Sequence, residues 1–161
     1  SLWELLTRLN TLIFEHIDRK SFVTLAALRV EFLSSDVHFL RAGHLPLVHY
    51  NALSREVALY RPSGMAIGLD PNSFPAQLEE ATIFSRSGDV FVMVSDGVTE
   101  ATAENGEQFG MEGVMDCVLH HADRPVEDIK SAIIAASRQF HAGEEQEDDI
   151  TVVVVKCSIH G

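Results

Sequence analysis

Residues 90–100 read Val-Phe-Val-Met-Val-Ser-Asp-Gly-Val-Thr-Glu, an apolar run that ends in a polar turn. A short apolar run bounded by turn residues predicts a buried strand, here from Val90 to Ser95. The carboxylate of Asp96 is therefore expected where this strand leaves the core. A charge beside a core is costly unless something positive neutralises it, so the stretch predicts a strand with a binding site at its end.

A second acidic motif, Asp148-Asp149, precedes the valine-rich run from Ile150 to Cys157, which predicts the last strand of the chain. Adjacent carboxylates repel each other, and the strand that follows at once draws both of them toward the core. Mg²⁺ and Mn²⁺ prefer carboxylate oxygens and usually keep several waters. We therefore expect the two strands to be neighbours and the two motifs to share divalent cations. Water between two such ions is activated to attack phosphorus.

Simpler interpretations of the same residues stay open. An Asp-Gly pair after a strand is typical of a turn in which the aspartate side chain bonds its own backbone. The acidic residues, 24 against 12 basic ones, also serve solubility. His44, between Gly43 and Pro46, is interpreted in two ways. It is either a proton donor or phosphate-orienting residue, because imidazole ordinarily titrates near neutrality, or a turn histidine that bonds a carbonyl.

The composition is that of one globular domain of 161 residues, with 46% hydrophobic and 22% charged residues. The chain has a net charge of −12 and no cluster of basic residues, which argues against binding nucleic acid through its phosphates. No apolar stretch approaches the roughly 18 residues that span a bilayer, so no membrane segment is expected within this chain. Because the start at Ser1 lacks a basic leader, the chain is predicted to be cytoplasmic.

Residue periodicity predicts an α+β fold with antiparallel sheet. Leucines and isoleucines recur at helical spacing over residues 2–18, which predicts an amphipathic helix. Residues 22–33 begin apolar on both faces, which predicts a central strand, and 37–41 returns as its hairpin partner. Hairpins dominate over strand–helix–strand alternation, which favours antiparallel pairing. The further elements predicted are a continuation of the second strand at 47–50, strands at 57–60, 77–84 and 150–157, and helices at 110–121 and 126–141.

Four stretches of the chain resemble the signature segments of SpoIIE-type protein serine phosphatases, the bacterial branch of the metal-dependent protein phosphatase (PPM) superfamily. They occur in the family's order and together extend over essentially the whole chain. The resemblance implies a PPM-type β-sandwich of largely antiparallel strands flanked by helices. The stretches are Phe-Val-Thr-Leu at 22–25, Ala-Gly-His-Leu-Pro at 42–46, residues 91–101 with Asn-Gly-Glu-Gln-Phe-Gly at 105–110, and Asp-Asp-Ile-Thr-Val at 148–152.

The resemblance also implies a site for two Mn²⁺ or Mg²⁺ ions and hydrolysis of phosphoserine or phosphothreonine on a protein, often an anti-anti-sigma factor. By motif position, Asp96 and Asp148 match metal-ligand aspartates, and Gly97 matches the glycine beside the first. Asp149 stands where relatives in the wider superfamily often carry Asn. The candidate metal residues are therefore Asp96, Gly97, Asp148 and Asp149, and no side chain is assigned as a catalytic nucleophile.

One segment of the family is missing from this chain. The family carries a Gly-Asp-rich strand and turn near the domain start, which supplies another metal aspartate, and nothing before Phe22 resembles it. Residues 1–161 are therefore predicted to be a single phosphatase domain that lacks its N-terminal segment. The missing strands would leave an open sheet edge that invites a homodimer. The alternative is a non-catalytic homologue that binds a regulatory protein. A Ca²⁺-binding module is disfavoured, because no EF-hand loop pattern occurs.

Overall fold

The computed structural model describes residues 1–18, 20–141 and 149–158. Within them the chain forms five helices and seven strands. In chain order these are α1 Leu2–His16, β1 Leu25–Glu31, β2 Asp36–Ala42, β3 Leu47–Asn51, β4 Glu56–Tyr60, α2 Phe74–Gln77, β5 Ala81–Phe84, β6 Val90–Val94, α3 Asp96–Thr99, α4 Gly110–His121, α5 Val126–Phe140 and β7 Val152–Lys156.

The strands form two sheets, in the orders β1-β2-β5 and β4-β3-β6-β7. The pairs β1–β2, β2–β5, β3–β6 and β6–β7 are antiparallel, which confirms the predicted α+β class. The chain divides into two compact units. Residues 1–46 and 60–85 carry the three-stranded sheet with α1 and α2, and residues 47–59 and 86–161 carry the four-stranded sheet with α3 to α5.

Helix α1 confirms the prediction for residues 2–18, apart from the last two residues. Ser1 begins it with a reciprocal cap. The Ser1 hydroxyl accepts from the Glu4 amide and the Glu4 carboxylate accepts from the Ser1 amino group, both at 3.2 Å. The buried side chains of Leu2 and Leu6 join a core that includes residues of β2. Fully burying one leucine side chain stabilises a fold by roughly 1.5–3 kcal/mol, so this face anchors the helix.

Within the described residues, β1 lies at the edge of its sheet, so the prediction of a central strand there is wrong. Its seven residues are all half-buried, whereas its partner β2 occupies the centre and buries Val37, Phe39 and Leu40 completely. The predicted hairpin of the two strands is confirmed by their antiparallel register. Leu25 and Ala27 at the start of β1 pack against the same core as Leu2 and Leu6 of α1, which accounts for the apolar start of this edge strand.

Residues 47–50 form a strand as predicted, but this strand, β3, does not continue β2. It joins the second sheet beside β6. The chain leaves β2 at Gly43, whose φ of +68° favours glycine. A Cβ at Gly43 would lie 2.7 Å from the Cβ of Ala66, so the close approach of the two backbones also excludes a side chain. The turn at Gly43 therefore redirects the chain into another sheet.

The remaining predicted elements are present with small differences in their bounds. Helices α4 and α5 confirm the patterns at 110–121 and 126–141, and β4 confirms the one at 57–60. Only the end of the pattern at 77–84 forms a strand, β5, since Gln77 instead ends the short helix α2. Among the helices of the described residues, none combines the length and the apolar character needed to cross a membrane.

Strand β6 lies between β3 and β7, and its first three residues are buried as predicted. Asp89, fully buried, precedes this strand. Its carboxylate lies 3.0 Å from Nε2 of His49 and accepts the backbone amides of Ala52 at 2.8 Å and Arg86 at 3.2 Å. His49 in turn stacks on Phe91, with ring centroids 4.5 Å apart. A buried carboxylate is tolerated when it is paired and hydrogen-bonded, so Asp89 is a structural anchor for the start of β6.

Candidate metal centre

At the other end of β6, Asp96 opens the four-residue helix α3. Its side chain is exposed, and one carboxylate oxygen accepts the amide of Gly97 at 3.1 Å. Thr99 donates its hydroxyl to the carbonyl of Asp96 at 3.2 Å, and Ser137 of α5 donates to the carbonyl of Val98 at 2.9 Å. Ser137 is only 1% exposed, so a buried hydrogen bond anchors α3 while the carboxylate of Asp96 reaches solvent.

Ser95 connects this turn with the second acidic motif. Its amide donates to the carbonyl of Thr151 at 3.0 Å, and its hydroxyl donates to the carbonyl of Asp149 at 2.9 Å. The amide of Thr151 donates to the same hydroxyl at 2.9 Å. Strands β6 and β7 pair antiparallel up to this point, so the strands that carry the two motifs are neighbours, as predicted.

The side chains offered to a cation here are carboxylates without a counter-charge. Asp149 is exposed like Asp96, and within the described residues neither pairs with a Lys, Arg or His side chain. Asp148, the other predicted ligand, lies outside the described residues. Mg²⁺ sites commonly use one or two carboxylates and several waters, so the oxygen donors of Asp96 and Asp149 fit such an ion. In the described ranges, no group of three or more His, Cys, Asp or Glu side chains is placed to hold a metal.

His44 belongs to the first unit and lies in the loop after β2. Its Nδ1 is 3.2 Å from the hydroxyl of Thr24, and Arg41 donates to its carbonyl at 2.7 Å. Arg41 also donates to the carbonyl of Pro62 at 2.8 Å, so one guanidinium ties two loops together. These contacts fix both the backbone and the ring of His44.

The sequence pattern does not single out Ser95, although the structure places it between the two motifs. A serine at the start of a helix is expected to cap it by accepting an amide of the first turn. Ser95 occupies the N-cap position of α3, but its side chain makes no such bond. Its hydroxyl turns instead to Asp149, 54 positions further along the chain, a contact that no local pattern predicts.

The family model described as stage II sporulation protein E (SpoIIE) matches residues 1–158. The chain belongs to the SpoIIE family. The match includes all four motif stretches, so it confirms the resemblance seen in the sequence.

Two curated relatives match with limited coverage of their own length. The protein IcfG of Synechocystis sp. is 29% identical over 145 residues, which are 88% of this chain and 22% of IcfG. The phosphoserine phosphatase RsbU of Bacillus subtilis is 27% identical over 164 residues, which are 97% of this chain and 45% of RsbU. The chain therefore spans less than half of either relative.

Solved structures share the fold of this chain. The RsbU and RsbW domains of a Mycobacterium tuberculosis protein superpose with a TM-score of 0.78 at 16% identity, covering 97% of this chain and 42% of that one. The SpoIIE phosphatase domain of Bacillus subtilis, presoaked with Mn, gives 0.72 at 20% identity, covering 99% and 73%. The SiaA-PP2C domain of Pseudomonas aeruginosa gives 0.68 at 21% identity, covering 83% and 51%. The predicted fold class is thereby confirmed as that of PP2C-type phosphatase domains.

Proposed function

We propose that the chain is the greater part of a metal-dependent protein serine/threonine phosphatase domain, which hydrolyses phosphoserine or phosphothreonine on a protein. The observation that carries the proposal is that Ser95 links the backbone of Asp149 to the adjoining ends of β6 and β7, where Asp96 and Asp149 are exposed and have no cationic partner among the described residues. Membership of the SpoIIE family supports it, as does the name of the Bacillus subtilis relative, a phosphoserine phosphatase.

In this proposal Asp96, Gly97, Asp148 and Asp149 form the metal site, which takes two Mn²⁺ or Mg²⁺ ions in the complete domain. When bound, such ions offset the negative charge of the phosphoryl group and lower the pKa of water. The chain's own residues bind the ions and fix the positions of the ligands. Asp96 and Asp149 offer carboxylate oxygens, α3 presents Asp96 at its first position, and Ser95 fixes the backbone of Asp149.

The proposed reaction balances with water as the only co-reactant. The water oxygen adds to phosphorus and the water loses a proton. The bond between phosphorus and the serine oxygen breaks, and the released serine oxygen takes up a proton, so protons balance. The products are inorganic phosphate and an unmodified hydroxyl. Because no side chain of the chain is phosphorylated in this scheme, the protein contributes positioning and fixed charge rather than a nucleophile.

We further propose that residues 1–161 are one domain that lacks its N-terminal segment. Its substrate would be a regulatory phosphoprotein such as an anti-anti-sigma factor, in cytoplasmic stress signalling. The structural relative that joins an RsbU domain to an RsbW domain supports a partner of this regulatory kind. The net charge of −12 argues against a nucleic-acid partner.

A homodimer is part of the proposal. In the described part of the chain, the three-stranded sheet ends at β1 and β5, and such edges are templates for pairing with a second copy. Light scattering at rising protein concentration measures the association. A mass that stays that of the monomer at every concentration would refute the dimer.

A second candidate is a non-catalytic phosphatase-like domain that binds a regulatory protein. The observation behind it is that nothing before Phe22 resembles the family segment that supplies a further metal aspartate. The two candidates differ in their dependence on metal, because a catalyst of this type needs a complete carboxylate set and a binding module does not.

Turnover separates the two candidates. The 161-residue chain, and the same chain extended by its native upstream sequence, are assayed with Mn²⁺ on p-nitrophenyl phosphate and on a phosphoserine peptide. The proposal predicts near-background rates for the short chain and Mn²⁺-dependent turnover for the extended one. Asp96→Ala should lower the rate of the extended protein by about a hundredfold or more, since it removes charge-stabilising positioning.

The matched control is Asp123→Ala, which removes an exposed carboxylate that pairs with Arg55 and should leave the rate unchanged. Robust turnover by the 161-residue chain would refute the account of a missing ligand segment. No turnover by the extended protein, with metal and phosphoserine substrate supplied, would favour the non-catalytic binder.

A further inference from the structure

We propose that Ser95 is a positioning residue. The two hydrogen bonds of its hydroxyl, to the Asp149 carbonyl and from the Thr151 amide, form a clasp that sets the position of the Asp149 backbone relative to Asp96. The inference rests on the proposed function, because it concerns the same metal-binding edge of the sheet. It assigns a role to a residue that is neither a ligand nor a nucleophile.

The hydroxyl group of Ser95 makes two hydrogen bonds to the second acidic motif. A serine hydroxyl is both a donor and an acceptor, and that of Ser95 uses both capacities on one short segment. It donates to the carbonyl of Asp149 and accepts from the amide of Thr151, each at 2.9 Å. The backbone on both sides of Ile150 is therefore held by a single side chain. An alanine at position 95 would lose both contacts at once.

Ser95 occupies the N-cap position of α3 without making the usual capping bond. Its φ of −81° and ψ of 165° place it in the extended conformation of an N-cap residue, yet its side chain does not cap α3. Capping is the favourable local use of a serine at this position. The hydroxyl bonds Asp149 and Thr151, just before β7, instead of an amide in the first turn of α3.

The pairing of β6 with β7 does not depend on the hydroxyl of Ser95. The backbone bond from the Ser95 amide to the Thr151 carbonyl, and the β6–β7 register, do not use the hydroxyl. Removing the hydroxyl therefore leaves the strands paired and frees only the residues just before β7. Those residues include Asp149, whose exposed carboxylate has no cationic partner within the described residues to hold it. The hydroxyl of Ser95 thus holds the backbone of Asp149 next to the residue that precedes Asp96.

The test compares wild type, Ser95→Ala and Ser95→Thr in the 161-residue chain, with two readouts. Amide hydrogen exchange of Thr151, measured by NMR on metal-free protein, reports the clasp itself. Mn²⁺ affinity, measured from the EPR signal of free Mn²⁺, reports its effect on the site. For Ser95→Ala we expect Thr151 exchange to accelerate about fivefold or more and Mn²⁺ binding to weaken about fivefold, as expected for a lost hydrogen bond. Ser95→Thr keeps a hydroxyl and should retain most of both properties.

The matched control is Ser85→Ala. Ser85 also follows a strand, β5, and also donates its hydroxyl to a backbone carbonyl, that of Ser35, at 2.8 Å. It should lower thermal stability without changing Thr151 exchange or Mn²⁺ affinity. Should Ser95→Ala fail to fold, the same comparison is made with Ser95→Cys, whose thiol is a weak donor and should give an intermediate result.

If the amide of Thr151 exchanges at the same rate in Ser95→Ala as in wild type, the hydrogen bonds of the clasp are refuted. If exchange is faster but Mn²⁺ affinity is unchanged, the positioning role of Ser95 in metal binding is refuted. Failure of the proposed function looks different. Faster exchange and weaker Mn²⁺ binding in Ser95→Ala, in a protein whose extended form shows no turnover, would uphold the clasp and refute the phosphatase. Absence of Mn²⁺ binding by the wild-type chain at millimolar metal would overturn the positioning role together with the metal site.

Discussion

Two aspartates at opposite ends of one strand show how the same side chain serves structure or a site. Asp89 is fully buried and its carboxylate contacts His49 and two backbone amides. Asp96 is exposed and contacts only the amide of its neighbour Gly97 among the described residues. The buried carboxylate is satisfied by the fold, whereas the exposed one retains oxygen for a ligand.

Asp89→Ala is expected to lower the free energy of unfolding by about 3 kcal/mol or more, because it removes a fully buried carboxylate that contacts buried His49 and accepts two backbone amides. Asp96→Ala is expected to change it by no more than about 0.5 kcal/mol, because the side chain is exposed. Urea unfolding of both variants measures the difference. Equal destabilisation by the two substitutions would contradict the assignment of one aspartate to structure and the other to the site.

The sequence alone predicts the aspartates of the site but not the residue that joins them. Asp96 and Asp149 are visible because each stands beside an apolar run, and a carboxylate in that position is unusual. The sequence does not indicate the role of Ser95, because its hydroxyl bonds Asp149, which lies 54 positions further along the chain. Its local pattern is that of a helix cap. Whether Asp96, Gly97, Asp148 and Asp149 bind metal stays a prediction.

Residue periodicity predicts the positions of helices and strands in the sequence better than it predicts which elements lie side by side in the fold. The long helices α1, α4 and α5 are found where the helical spacing of apolar residues places them. Strand β1 has an apolar start because Leu25 and Ala27 pack against the core that β2 and α1 share, and the sequence alone does not show whether an apolar strand has one neighbouring strand or two. The chain passes from one sheet to the other between β2 and β3. The turn at Gly43 lies there, and it brings the backbone close to Ala66.

The importance of that turn can be measured by Gly43→Ala, with Gly106→Ala as its control. Both glycines have positive φ, +68° and +83°, so an alanine is strained at either by about 1 kcal/mol. A Cβ at Gly43 would also meet Ala66 at 2.7 Å, whereas at Gly106 nothing lies within 4 Å. We expect Gly43→Ala to be less stable than Gly106→Ala by about 1–3 kcal/mol, the usual penalty of overpacking. Equal unfolding midpoints for the two variants would show that the close approach does not constrain the turn.

For the whole molecule, a family match over nearly all of the chain stands beside partial coverage of its curated relatives. The match extends over residues 1–158, but the chain corresponds to 22% of IcfG and 45% of RsbU. Its fold class could be predicted from hairpin patterns and motif order. Its two compact units could not, because they are assembled from separated stretches of sequence, 1–46 with 60–85 and 47–59 with 86–161.

Calorimetric titration with Mn²⁺ shows whether the two acidic motifs bind a divalent cation. Wild type, Asp96→Asn and the control Asp123→Asn are compared as 161-residue chains. Asparagine keeps the shape of the side chain and removes the negative charge that attracts the ion. The account predicts weak binding heat for wild type and for Asp123→Asn, and loss of that heat for Asp96→Asn. Identical heats from wild type and Asp96→Asn would contradict it.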